Sequence, residues 1–596
     1  LKSERPGHAV ELTATPGVEE RPQMLRRLLA GFNPVWLLIA PVILIVAGML
    51  VTVFWLSFIR GLPGTPEATY TFENYLRLYT DPFVITALKN TLGFAGITVL
   101  VALFFGISIS WLVERTNLPG KSVIYTVMSL GILLPGFFVA MGWLFLLHPR
   151  IGMVNLWLMR LLGLSQAPLS ITTVTGMGWV QGLSLASLAF VLTSASFRSM
   201  DPALEEAATV HGAGFGQMLK RVFMPLVFPG LLASSIYIFT IGIGSFDTPA
   251  IIGLSNRIYT FSTFVYAQSV TGDSLPEYGP IAAMSGLVAV VAVLLSSWYG
   301  TVITKANRYQ VVTGKGYRPR QYELGKWMVP AWLFIGIYFL LSKVIPLLLV
   351  IWAACLPYFQ PPSMQALGSL SLQNFRSIPL DLLARGAKNT AILMGVVPTL
   401  AILVSFAFSW MVVRSQSRFR AVIDFFAFLP HAVPGIIFGV GALFVALFVL
   451  KGLPLYGSLT LLAIVYVVDR LSFGTRVLNS ALIQIHHELE EAAAICGASG
   501  LRIARSVLAP LVWPALLNSW LWMALLTLRE LTLATVLFSP SNITMPVVVW
   551  NIWISGNFGV ASAITLVLLA SLAPLVMIYW IFGRRQTAWA QSGEMK

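Results

Sequence analysis

Charge is what this sequence has least of. Its 596 residues include 38 Lys+Arg and 23 Asp+Glu, so 10% are charged, against roughly 25% in soluble domains. With 57% hydrophobic residues and a mean hydropathy of +0.82, the chain cannot clothe itself for water, and it reads as an integral membrane protein. It has 2 cysteines, Cys355 and Cys496. The topology below puts them on opposite sides of a bilayer, so no disulfide is expected. No G-x-x-x-x-G-K-[ST] phosphate loop is present, so this chain is not expected to hydrolyse ATP, and no catalytic residue is assigned. No cluster has metal-ligand spacing. His148, His211, His431, His486 and His487 all fall near loops and make no site. The net charge of +15 does not mark a nucleic-acid binder, because the basic residues sit in short segments between apolar runs rather than on a polar domain.

What is there is hydrocarbon in span-length pieces. Roughly twelve stretches reach the ~20 residues a membrane helix needs. They lie near 35–59, 87–113, 122–147, 170–197, 228–250 and 279–301, then near 328–354, 387–414, 424–450, 457–483, 511–538 and 556–583. The expected fold is all-α and polytopic. The expected divisions are a tail (1–30), a first transmembrane unit (31–302), a linker (303–327), a second unit (328–585) and a C-terminal tail (586–596). The first apolar run starts too late and runs too long for a signal peptide. Arg21, Arg26, Arg27, six linker cations from Lys305 to Lys326, Arg414, Arg418, Arg420, Arg584 and Arg585 all fall on one side of this count. The positive-inside rule makes that side, with both termini, cytoplasmic.

The two units repeat one another. ALKNT (87–91) matches GAKNT (386–390), Trp111 matches Trp410, and LLPG (133–136) matches AVPG (432–435), all at an offset of 299. A polar stretch, EEAATVHGAGFGQMLKRVFMPL (205–226), returns as EEAAAICGASGLRIARSVLAPL (490–511) at an offset of 285. The second unit is therefore shorter between its third span and its polar stretch. With six spans each, the two units have the same orientation, related by a pseudo-twofold axis along the membrane normal. Locally the first polar copy reads as helix, glycine break, helix. Asp201 caps it, Pro202 suits the first turn, and Glu205 and Glu206 favour the helix N-terminus. Gly212 supplies a turn free of Cβ cost.

EAA-x-x-x-G followed by a proline closely resembles the cytoplasmic loop of ABC importer permeases, and both halves look like permease units. The resemblance implies the type I, MetI-like permease fold. It also implies coupling helices that seat in grooves on ATPase subunits: Glu205, Glu206, Ala207, Ala208, Gly212 and Pro225 at one site, Glu490, Glu491, Ala492, Ala493, Gly497 and Pro510 at the other. Partners implied are two ABC ATPase subunits, which hold the ATP and Mg, and a periplasmic solute-binding protein. One copy of this chain per complex, in the bacterial inner membrane, with no cofactor of its own, completes the expectation.

Asp247, Asp469, Arg470, Arg529 and Glu530 lie in or near spans. Facing lipid they would be costly, so they are expected inside the bundle, as candidates for the translocation pathway. Asp469 and Arg470, and Arg529 and Glu530, are sequence neighbours and need not pair with each other. Pro249 is expected to end or bend the fifth span. Asp247 aligns with Thr532, which makes the pathway asymmetric. RELTLATVLF (529–538) and FDTPAIIG (246–253) are similar in style to ferric-iron permeases, so iron(III) is the expected cargo. A phosphonate, sugar phosphate, polyamine or other small solute is the alternative, and a secondary transporter is the reading from another class.

Overall fold

In the first half α1 (Trp36–Ser57), α2 (Pro82–Arg115), α3 (Lys121–Gly131), α4 (Gly136–Leu147), α5 (Met153–Leu162), α6 (Val174–Arg198), α7 (Met224–Gly244) and α8 (Tyr278–Asn307) follow in order. In the second, α9 (Met328–Phe339) runs through a π-turn into α10 (Ile345–Ala354). There follow α11 (Leu380–Val413), α12 (Arg420–Ala432), α13 (Gly435–Phe444), α14 (Leu459–Ile483), α15 (Glu488–Ile495), α16 (Trp513–Leu528), α17 (Met545–Ile554) and α18 (Phe558–Gly593). This computed structural model describes residues 35–198, 208, 210–212, 214–269, 277–307, 321–415 and 417–593. Among them the one sheet is a two-stranded pairing of Ile59–Arg60 with Thr69–Tyr70. The expected all-α fold is what is seen.

Among the described residues eight helices are long and apolar enough to cross a bilayer, and the number reaches 11 if each of three bent pairs is one span. α14 is as long as α6, at 25 residues each, but carries Asp469, Arg470 and Arg476 in its length. The expected third and ninth spans are not straight: α3 and α4 meet at 95°, α12 and α13 at 104°. The duplicated Pro-Gly is the cause. Pro135 and Pro434 take extended ψ of 135° and 132°, and neither has the N–H that would continue the helix. The eleventh bends by 75° between Leu511 and Trp513. The fifth span ends at Gly244, five residues before Pro249, which instead opens a short π-turn (Pro249–Gly253). Ser245 already leaves the helical region, with ψ 130°.

Each half packs its first helix between its own last helix and the other half. Gly441, in α13, lies against α1 so closely that a Cβ there would stand 2.7 Å from the Met49 carbonyl oxygen. Gly142, in α4, lies against α10, where a Cβ would stand 2.4 Å from the Pro346 Cα. Gly142 and Gly441 are themselves partners at offset 299. Small residues let helix backbones approach in lipid, where packing must replace the hydrophobic drive.

The repeated ALKNT/GAKNT motif is a fastener. Asn90 donates to the Tyr259 carbonyl at 3.0 Å, and Asn389 to the Ser541 and Ile543 carbonyls at 3.0 and 2.9 Å. Next to them, Thr91 Oγ1 accepts from Phe261 N at 2.8 Å and Thr390 Oγ1 from Met545 N at 2.9 Å. A second pair of asparagines repeats at an offset of 300, in ENY (73–75) and QNF (373–375). Buried Asn74 donates to the carbonyls of Ser57 and Ile59, and buried Asn374 to those of Ala354 and Leu356. Each closes the turn that follows the first helix of its half and presses on a glycine, Gly279 or Gly559, near the start of the last.

Candidate translocation and coupling sites

A helix broken inside a membrane leaves carbonyls at one end and N–H groups at the other without partners. At the α3–α4 break, Pro135 cannot bond back to the Gly131 carbonyl. Two cations from the opposite half take over. Lys343 Nζ donates to the Gly131 carbonyl at 3.3 Å, and Arg529 Nη1 to those of Ile132 and Leu134 at 2.8 and 2.9 Å. On the other side of the break, the Asp247 carboxylate faces the N-terminal end of α4 at Gly136 and Phe137. The signs suit the helix dipole: cations at the carbonyl end, a carboxylate at the N–H end. Gly136 leaves room for this, since a Cβ there would stand 2.9 Å from Asp247 Oδ2.

Asp469 stands against Gly435 in the same way, with Oδ1 3.0 Å from where a Cβ would be. Gly435 is Gly136 shifted by 299. Arg470 joins its two neighbours: Nη1 bonds to the Asp469 carboxylate, while Nη2 donates to Glu530 Oε2 at 2.9 Å and to the Leu526 carbonyl at 3.3 Å. The long guanidinium folds back to the carboxylate beside it, a contact that helix spacing alone does not call for. Arg529 and Glu530, by contrast, turn to different partners, as their adjacency suggests. Arg529 stays within electrostatic reach of Asp247 and Glu530.

So all five expected intramembrane charges converge on one region between the halves, and Lys343 joins them. Sequence reading missed Lys343, although a lone lysine in the apolar run LLSKVIPLLL is a visible anomaly. Three carboxylates face three cations here. The cluster is one-sided. At offset 285, Arg529 corresponds to Gly244, and Gly244 packs where Arg529 would reach, a Cβ being 2.7 Å from the Pro434 Cβ. His431, expected near a loop, lies at the α12–α13 break and stacks on Tyr237 with centroids 4.6 Å apart.

At the polar loops, Gly212 and Gly497 have φ of +77° and +80°, the left-handed region that makes glycine the natural residue. Asp201, Pro202, Glu205, Glu206 and Ala207 lie outside the described residues, while Ala208 is half-buried and Pro225 exposed. In the second copy α15 projects outward. Glu491, Ala492 and Pro510 are exposed and Ala493 is half-buried. Glu490 is held from behind: Arg414 Nε stands 3.0 Å from its Oε1, and Arg414 Nη2 also caps the Leu482 and Ile485 carbonyls, each at 2.6 Å. The two glutamates therefore differ in kind, one a strut and one a face. Two residues were missed. Val210 is 85% exposed and Ile495 87%. They are partners at offset 285, each two residues before its turn glycine. These are matched branched aliphatic side chains standing nearly free on two polar loops. The linker also touches this face: Tyr322 donates to Met218 Sδ at 2.8 Å and stacks on Trp111.

A family model described as "Binding-protein-dependent transport system inner membrane component" matches residues 102–308 and again 399–587. The chain belongs to that family. As a permease of this kind, it carries the family unit twice in one polypeptide. It is 23% identical over 530 residues to the ferric transport system permease protein FbpB of Actinobacillus pleuropneumoniae, covering 86% of this chain and 74% of that one. It is 28% identical to the molybdenum transport system permease protein ModB of Haemophilus influenzae, where 97% of the relative spans only 39% of this chain. A solved bacterial ABC transporter involved in the import of alginate matches 50% of this permease at 19% identity, with a TM-score of 0.33. A whole relative equal to less than half of this chain is what a fused two-unit permease requires.

Proposed function

We propose that one copy of this permease forms the entire membrane gate of an ABC importer. Two ATPase subunits, which hold the ATP and Mg, sit on the loops around Gly212 and Gly497. A solute-binding protein delivers cargo on the opposite face, in the bacterial inner membrane, with both termini on the ATPase side. The observation that carries this is the matched pair of exposed aliphatics, Val210 and Ile495, on loops that share a left-handed glycine. Two like surfaces on one chain call for two like partners.

Force entering at those loops passes into α6 and α7 in one half and α14 and α16 in the other. α7 and α16 end beside Asp247 and Arg529, and α14 carries Asp469 and Arg470. Alternating access then consists of parting and remaking the Arg529 and Lys343 bonds to the α3–α4 break, exchanging one closed face for the other.

Iron(III) is the proposed cargo, supported by the ferric permease that matches most of this chain. An oxyanion is the second reading, favoured by the molybdenum permease relative. Phosphonates, sugar phosphates and polyamines remain in the wider field. The test is uptake into proteoliposomes holding this chain with its ATPase and binding protein, supplied with radioactive iron(III) or molybdate. ATP-dependent iron uptake supports the first reading. Molybdate uptake alone moves the assignment to the second. Uptake of either without the ATPase overturns the importer reading in favour of a secondary transporter.

A further inference from the structure

The halves differ in length at one place, and the surplus is a built structure. From Gly142 to Thr173 is 31 residues, and from Gly441 to Ser458 is 17, a difference of 14. Thr173 and Ser458 are equivalent, each bonding the N–H three residues on, at 2.9 and 3.1 Å. The extra residues form α5 and its flanks, on the side of the membrane away from the Gly212 and Gly497 loops.

α5 is firmly held. Asn155 is fully buried and donates to the carbonyls of Leu147, His148 and Leu169 at 3.0, 3.2 and 2.7 Å, while its Oδ1 accepts from Leu169 N at 3.2 Å. One side chain thus clasps the end of α4 to the far end of the insert. Gly163, with φ +63°, stops the helix. Yet the face turned away from the clasp is apolar and bare. Trp157 is 61% exposed, Leu161 62% and Leu164 40%, with Arg160 exposed among them. Within the helix, positions 157, 160 and 161 share one face, and Leu164 follows the Gly163 turn.

We propose that α5 is an interfacial anchor lying at the outer surface of the bilayer, its Trp157–Leu161 face in the acyl boundary and Arg150 and Arg160 at the phospholipid phosphates. Three observations select this occupant. The helix begins six residues past the end of the membrane-embedded α4 and is clasped to that end by Asn155, which keeps it at the level where that segment leaves the bilayer. Tryptophan, leucine and an arginine able to reach outward are the residues of an interfacial helix. From His148 to Thr173 there are two arginines and no carboxylate, a charge that suits phosphodiester headgroups. Because the second half has no counterpart, the anchor grips the bilayer on the first half alone and gives the paired units one fixed side.

The test uses the full chain with its ATPase and binding protein in nanodiscs containing phosphatidylglycerol. Cys355 and Cys496 are replaced by alanine, and Trp157→Cys or, separately, Leu161→Cys carries a bimane label. We expect lipids bearing a doxyl group near the headgroup to quench both labels several-fold more than aqueous iodide does. The signal should not change when the binding protein docks. Quenching by iodide alone overturns the proposal. So does shielding of the labels by the docked binding protein, which would make α5 a protein-docking helix. A lipid-quenched label stands whether the cargo is iron or not, so this result is separable from the substrate assignment.

Discussion

Arg529 of the second half donates to the Leu134 carbonyl of the first at 2.9 Å, across the boundary between the two permease units. The same group holds the Ile132 carbonyl and stands near Asp247. Removing one member of a partly buried charge set typically costs about 3–5 kcal/mol, because its partners are left uncompensated. Arg529→Met should lower the thermal midpoint of the purified permease and abolish coupled uptake. Arg529→Lys keeps the charge but not the fork, and should recover stability more than transport. An unchanged midpoint in Arg529→Met would remove the bond network from the account of the gate.

The first helices make a prediction about glycine. Alanine at Gly142 or Gly441 puts a Cβ 2.4 Å from Pro346 Cα or 2.7 Å from the Met49 carbonyl. Backbone atoms cannot swing aside as a side chain can, so overpacking of about 1–3 kcal/mol is expected at each. Gly395 and Gly336 have nothing within 4 Å of the same atom, and alanine there should be tolerated or mildly stabilising. Thermal melts of the four variants in one lipid environment check this. Equal behaviour of all four would mean that the crossed seats are not tight.

The coupling face should separate into two kinds of residue. Val210→Asp, Ile495→Asp and Glu491→Lys should weaken co-purification of the ATPase while leaving the melting of the permease alone unchanged. An interface anchor whose loss costs about 2 kcal/mol weakens affinity near thirtyfold. Glu490→Gln should do the reverse, loosening the permease through Arg414 with a smaller effect on docking. Normal ATPase recovery with both aliphatics replaced would exclude them from the interface.

Much of this was legible in the chain itself. The repeats at 299 and 285 announced two equal units, the turn glycines and the shorter second half, because identical local geometry demands identical residues. The Pro-Gly pairs announced something at 135 and 434, but a tolerated proline in a membrane helix and a sharp break look alike in sequence. The intramembrane charges were conspicuous, and their gathering was not, since it depends on which half each helix packs against. Lys343 shows the limit most clearly. Its partner carbonyl belongs to Gly131, 212 residues away, and a backbone oxygen leaves no mark in a sequence. Val210 and Ile495 were hidden for the opposite reason: in so apolar a chain, one more aliphatic draws no notice until its exposure is known.

The crossed seating of α1 and α10 carries a consequence for how the chain is made. When translation has completed the first half, α1 already sits in the bilayer, yet the α13 surface around Gly441 on which it rests has not been synthesised. The first half must wait with α1 held by α8 alone and with Gly142 uncovered, and only the arrival of the second half completes both contacts. Cutting the chain in the linker and producing the pieces apart should therefore give two fragments that persist poorly alone and recover when made together.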